Sequence, residues 1–217
     1  MFTLSTYNVK IICEIICKNE SSSMTKDNYH HGDLKAELIR EGLKILDREG
    51  YEAFSLRNVA KACNVSQTAP YRHFKDKDEL VSAIADQALK AFNDCLVAAV
   101  EKFPDDSKKQ LKEMGVAYVD FFIRNPEYLR LLFFTDMSLK NKYEASKPAD
   151  HSMENHPYMT LYHAVERYKK QYPEEQMSQN ELVLYCWGLV HGISVLINSN
   201  DFPMGESGMD IVRNILE

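Results

Sequence analysis

Between residues 67 and 73 the chain carries Gln67, Thr68, Arg72 and His73. Amide, hydroxyl, guanidinium and imidazole groups are the ones that meet base edges and phosphate oxygens in nucleic acids. To act together they must share the outward face of one short helix, and the flanking sequence supplies the frame. Ser55 can cap a first helix by accepting a backbone N–H two or three residues on. Phe54 and Val59 form a hydrophobic staple across that start. The helix ends near Cys63, and Asn64 tolerates the left-handed conformation a tight turn needs. Ser66 then caps a second helix predicted over about 66–74. Leu56, Val59, Ala60, Val65, Ala69 and Phe74 form the inward face, and the small Ala60 lets the two helices approach closely. A short helix, a turn and a second short helix make a helix-turn-helix, whose second helix fits the roughly 12 Å wide major groove.

Other chemistries have weaker support. No Ser/His/Asp set, Gly-rich phosphate loop or paired-carboxylate motif stands out, so an enzyme is not expected. His151 and His156 are five residues apart in a loop, which is poor metal-ligand spacing, and no cofactor is expected. Cys13, Cys17, Cys63, Cys95 and Cys186 are odd in number and read as reduced thiols in a cytoplasmic chain. Cys63 reads as a small packing residue. No apolar run approaches the roughly 18 to 20 residues of a membrane span, so no membrane partner is expected. The chain of 217 residues has a net charge of −6, which excludes a generally basic nucleic-acid coat but not a local reading surface. Residues 24–80 hold ten Lys/Arg and ten Asp/Glu, so the acidity lies in 81–217.

The remaining pattern is helical and defines an all-α chain. Asp33 can cap a helix with apolar Leu34, Leu38, Ile39, Leu43 and Leu46. Gly50 closes it in a left-handed conformation, with Tyr51 placed to touch Leu46 in a Schellman motif. Asp76 and Glu79 start a long helix that breaks at Pro104. Further helices are expected over about 107–124, 126–136, 157–171, 179–198 and 208–216, with Asn125 capping and Pro126 opening the second of these. Residues 138–156 read as a loop. Residues 1–23 read as a disordered extension before a fresh start at Met24, and a signal peptide fits them poorly. The expected division is an extension over 1–23, a DNA-binding domain over 24–80 and a second helical domain over 81–217.

Residues 50–80, GYEAFSLRNVAKACNVSQTAPYRHFKDKDEL, resemble the DNA-binding domain of TetR-family transcriptional repressors. The marks are Gly-Tyr after the first helix, Val-Ala in the second, Val-Ser before the third, Tyr-x-His-Phe ending it, and Lys-Asp-Glu-Leu opening the fourth. Trp187-Gly188-Leu189-Val190-His191-Gly192 resembles the WHG subtype of C-terminal domain. The resemblance implies that Gln67, Thr68 and Ala69 face base edges, while Tyr71 and His73 touch phosphates or sugars. It places Lys77 on a phosphate at a helix N-terminus, Ser55 and nearby Arg57 on another, and Tyr29-His30-His31 in an arm. Asn64 stands where Gly is usual and Pro70 where Leu is usual. With Ser66 as cap, Pro70 deletes the first intrahelical N–H bond, so a tight or irregular first turn is expected.

The C-terminal part is rich in large soft side chains. Most must be core, but Tyr118, Phe122, Phe133, Tyr162, Trp187 and His191 are candidates to line a small-molecule cavity. The resemblance implies a homodimer built on helices 157–171 and 179–198. Leu182, Leu189, Ile193 and Leu196 form the expected seam, a palindromic double-stranded DNA operator is the partner, and a small hydrophobic effector releases it. Two alternatives stay open: a DNA-binding regulator with no small ligand, and a lapsed regulator that binds a hydrophobic small molecule.

Overall fold

A computed structural model describes residues 34–134, 156–199 and 208–217. The expected extension over 1–23, the cap Asp33, the arm Tyr29-His30-His31 and the loop from 138 to 155 lie outside the described residues. Among those described, the elements are helical. Eight α-helices are labelled here: α1 Leu34–Ala53, α2 Leu56–Ala62, α3 Lys77–Glu101, α4 Ser107–Arg124, α5 Pro126–Leu129, α6 Pro157–Gln171, α7 Gln179–Asn198 and α8 Gly208–Ile215.

Local chemistry sets most of these boundaries. The Ser55 hydroxyl accepts the Asn58 N–H at 3.2 Å, opening α2. Asp76 accepts the Glu79 N–H at 2.9 Å, opening α3. Asp106 does the same for Lys109 at 3.0 Å, opening α4. Ser178 and Glu181 form a reciprocal capping box before α7. Asn64 sits at φ 54°, as the turn after α2 requires.

Two expectations are corrected. Gly50 does adopt a positive φ of 74°, but its ψ is 170°, so it kinks α1 instead of closing a Schellman motif. Tyr51 therefore turns to the start of α3, where its hydroxyl donates to Asp78. The region of φ/ψ space at Gly50 is essentially restricted to glycine. A methyl group there meets nothing within 4 Å, so strain alone sets the cost. Gly50→Ala is expected to lower unfolding stability by about 1–3 kcal/mol, seen as a lower urea midpoint at unchanged slope.

The helix expected over 126–136 is α-helical only through Leu129 and continues as a π-helix over Arg130–Phe134. The wider turn lets the adjacent Phe133 and Phe134 both lie against His191, with ring centroids at 4.6 and 6.2 Å. Asn125 stands at the N-cap, but its side chain donates back to the Phe121 carbonyl instead of capping.

The long α3 runs through two apolar cores. Leu80, Val81 and Ile84 join Leu38, Leu46, Phe54, Leu56, Val59 and Phe74 in the first. Phe92 and Leu96 join Tyr118, Phe122, Leu129 and Val190 in the second. Any movement of α3 is therefore felt at both ends.

By length and composition alone helix α7 could cross a membrane, unlike the expectation from its sequence, but helices of soluble proteins meet the same measure. Of the residues expected in the dimer seam, two are taken up within this chain. Leu182 is buried against Val165 and Val183, and Ile193 packs on the second core. The outward apolar positions are Leu184, Tyr185 and Leu196, which are 71%, 56% and 53% exposed.

Candidate nucleic-acid interface and ligand cavity

The segment after the α2 turn is not the α-helix that 66–74 suggests. It is a turn over Ser66–Ala69 followed by a 3₁₀ helix over Pro70–Arg72. The physical reason is the one expected from Pro70. It has no N–H to offer the Ser66 carbonyl, and that carbonyl instead accepts the Ala69 N–H at 2.9 Å. Three-residue bonds continue from Arg72 to Ala69 and from His73 to Pro70, at 3.2 and 2.9 Å. The Pro70 ring is fully buried, so it anchors the segment from beneath as Phe74 does.

Gln67, Thr68, Tyr71 and Arg72 are exposed, with Tyr71 at 53%, while Ala69 and His73 are half-buried. Ser66 and Thr68 hydroxyls lie 3.2 Å apart, which steadies the loop in front of Gln67. Arg57 is exposed on α2. Among the described residues neither Arg57 nor Arg72 has a carboxylate partner, leaving both cations available to an anion. Ser55 is half-buried and its oxygen is committed to the α2 cap. The Lys77 ammonium donates to the Tyr51 carbonyl at 3.2 Å and lies 4.0 Å from the Tyr51 ring centroid. It is thus fixed at the α1–α3 junction, with its charge beside the α3 N-terminus.

The second feature is a cavity of about 580 Å³ in the C-terminal half, a volume suited to a drug-sized ligand. Tyr118, Phe133 and Trp187 line it. Phe122 is fully buried behind that wall, 5.0 Å from the Tyr118 ring and 5.7 Å from Phe133. Tyr162 belongs to the small core of Val165, Leu182 and Val183. His191 stands outside the lining, and its Nδ1 lies 3.0 Å from the Tyr118 hydroxyl. Trp187 Nε1 donates to the same hydroxyl at 3.3 Å. Burial raises the Tyr118 pKa and lowers that of His191, so both are held neutral. Burial likewise pushes the cavity thiol of Cys186 up to about 11, and that of Cys63 equally, which makes them inert thiols.

The two features are joined through the π-helix. Arg130 donates to both carboxylate oxygens of Asp47 on α1, at 2.6 and 2.8 Å. Leu131 packs against the first core and also lines the cavity. One short segment thus touches α1 and the first core as well as the space a ligand would fill.

The family described as bacterial regulatory proteins of the tetR family matches residues 38–84, and the tetracyclin repressor-like C-terminal domain matches 111–217. The chain is 24% identical to the HTH-type transcriptional regulator AcrR of Shigella flexneri, over 85% of this chain and 88% of that protein. It is 39% identical to a DNA-binding transcriptional repressor TetR of Mycobacteroides abscessus, over 27% of this chain and 31% of that one. A solved structure of a Rhodococcus protein of unknown function superposes with a TM-score of 0.67 at 21% identity, over 88% and 95% of the two chains. The chain belongs to the TetR family. It is a DNA-binding transcriptional regulator and not an enzyme, as its family and relatives are.

Set against the TetR family, sequence reasoning passed over several residues. Met114, Leu132, Leu161 and Leu216 line the cavity and lie outside the set of large side chains the sequence marks as candidate walls. Helical spacing marks them as apolar and inward but does not say which inward face is left unfilled. The Asp47–Arg130 pair joins residues 83 apart in sequence, and no local pattern reports it.

Proposed function

We propose that the protein is a homodimeric cytoplasmic repressor that a small apolar effector releases from a palindromic operator. In this reading residues 24–80 read DNA and 81–217 dimerise and bind the effector. Gln67, Thr68 and Ala69 face base edges. Tyr71, His73, Ser55, Arg57 and Lys77 position the phosphate backbone, and the effector contacts Tyr118, Phe133 and Trp187, with Phe122, Tyr162 and His191 supporting or extending that site. The Mycobacteroides relative, described as a repressor, supports repression as the output.

The observation that carries the reading is Leu131, shared by the first core and the cavity wall, with Arg130 tied to Asp47 one residue away. An effector that displaces Leu131 and Phe133 shifts the segment on which α1 leans, and with it the spacing of two reading heads. The ligand must bind the released arrangement more tightly than the DNA-bound one for this to act as a switch. A cavity of this size favours the reading over a regulator with a filled core.

Selection of bound duplexes from a random pool, at stated near-physiological salt, tests the proposal. An enriched pseudo-palindrome is expected, as a two-fold dimer requires. Tyr71→Ala with Lys77→Ala is expected to weaken binding across all sequences and to reduce the salt slope by about one, since of the two only Lys77 carries a charge that neutralises a phosphate. Thr68→Ala is expected to relax preference at particular positions instead. No enrichment from a folded dimer over repeated rounds sinks the repressor reading.

A further inference from the structure

The cavity's polar groups restrict the chemistry of what it can hold. Four charged side chains touch it, Lys108, Lys112, Glu175 and Glu217, and their signs cancel. Lys112 and Glu217 are already paired at 3.1 Å. The Glu175 carboxylate accepts the Met177 N–H at 2.9 Å. Lys108 stands in water, so a charge carried past it to the aromatic wall finds no counter-ion there and bears an uncompensated desolvation cost.

The deep wall is aromatic, with Phe92, Phe133, Tyr118 and Trp187 around the space. Its polar feature is the Tyr118 hydroxyl, between Trp187 Nε1 at 3.3 Å and His191 Nδ1 at 3.0 Å. The indole can only donate, so it occupies one lone pair of the Tyr118 oxygen. A neutral His191 protonated at Nε2 accepts the Tyr118 proton at Nδ1, whereas one protonated at Nδ1 donates to the Tyr118 oxygen and frees that proton. In the first arrangement the Tyr118 oxygen keeps one lone pair and has no proton to give. A ligand's polar group at this wall is then a donor, and an alcohol compared with its ether distinguishes this from the second arrangement.

We propose that the effector is an uncharged, ring-bearing molecule that donates one hydrogen bond, from a hydroxyl or an N–H, to the Tyr118 oxygen. The inference rests on the cavity being the effector site of the regulator described above.

Four probes with one aromatic body separate the terms: 1-pyrenemethanol, its methyl ether, 1-pyrenecarboxylate and 1-pyrenemethylammonium. Each is titrated into the full-length protein at neutral pH, without DNA, and followed by probe fluorescence. The alcohol is expected to bind about tenfold or more tightly than each of the others, since a buried polar group left unpaired penalises an analogue lacking its complement. Tyr118→Phe is expected to reduce the alcohol to the affinity of the ether and leave the ether unchanged. His191→Gln, which retains an acceptor for the Tyr118 proton, is expected to keep the preference for the alcohol. An ether as tight as the alcohol overturns the donor assignment. A carboxylate or ammonium as tight as the alcohol overturns the neutral one, and failure of all four to bind the folded protein overturns the inference whole. Operator binding is measured separately. Lost operator selection with the alcohol preference intact counts against the regulator alone, and the reverse result counts against this inference alone.

Discussion

With glutamate in place of Leu184, the protein is expected to sediment as a monomer and to lose operator affinity by a factor of about 10²–10⁴. The expectation follows from the outer face of α7. Leu184 is 71% exposed and Leu196 is 53% exposed. Between them, Gly188 and Gly192 have open space where a Cβ would stand. These four positions recur every fourth residue, which is the ridge along which two helices interlock. The glycines lower that ridge and let a second backbone come close. An exposed apolar strip of this length is the mark of an interface, and in a two-fold dimer Leu184 meets the same patch on its mate. A glutamate there places two like charges in one desolvated seam. The affinity loss follows because two linked heads bind their half-sites with an effective concentration that a monomer lacks. Sedimentation equilibrium and titration with the selected duplex check both halves. A Leu184→Glu protein that stays dimeric and holds its operator removes α7 from the interface. Gly188→Leu, which adds bulk without charge, is expected to weaken the dimer in the same direction.

How far the sequence carried each feature depended on the range of the interaction that fixes it. The α2 start at Ser55, the turn at Asn64 and the start of α3 at Asp76 are set by partners a few residues away, and each stands where it was read. The tight form of the recognition segment was legible too, because Pro70 removes a single identifiable N–H. The outward face of α7 was not. That helix is apolar nearly all round, so its periodicity does not distinguish the face that meets α4 and α6 from the one left outside. Leu182, Leu189, Ile193 and Leu196 and the outward-facing Leu184, Gly188, Gly192 and Leu196 are equally good helical stripes. Only the packing of α4 and α6 decides between them. The cavity shows the same limit. Tyr118, Phe122, Phe133 and Tyr162 are all large and inward, yet Tyr118 and Phe133 line the space while Phe122 sits behind them and Tyr162 in another core.

Phe122→Ala is expected to cost about 3–5 kcal/mol of folding stability, the usual range for emptying a fully buried aromatic site. Phe122 is fully buried, and its ring is ringed by others: Phe92 at 4.7 Å, Tyr118 at 5.0 Å, Phe121 at 5.1 Å and Phe133 at 5.7 Å. Edge-to-face contacts of this kind add to the burial itself, and a wall of rings relaxes little into the void. Total stabilities are about 5–15 kcal/mol, so the variant is expected to melt roughly 10 °C or more below the parent. Tyr162→Ala, at a half-buried position, is expected to cost less. The larger effect reaches function because Tyr118 and Phe133 are held in place from behind by Phe122. Without it the Tyr118 hydroxyl loses its fixed position, so the alcohol and ether probes are expected to converge in affinity as stability falls. Ligand at about a hundred times its Kd returns roughly 2.7 kcal/mol to any protein that still binds it. A Phe122→Ala protein that recovers less thermal stability than the parent gains, at equal ligand excess, shows that the rings behind the wall set the site's shape. A cost below about 1 kcal/mol, far under the range for such a site, shows instead that this cluster is not the packed centre of the C-terminal half.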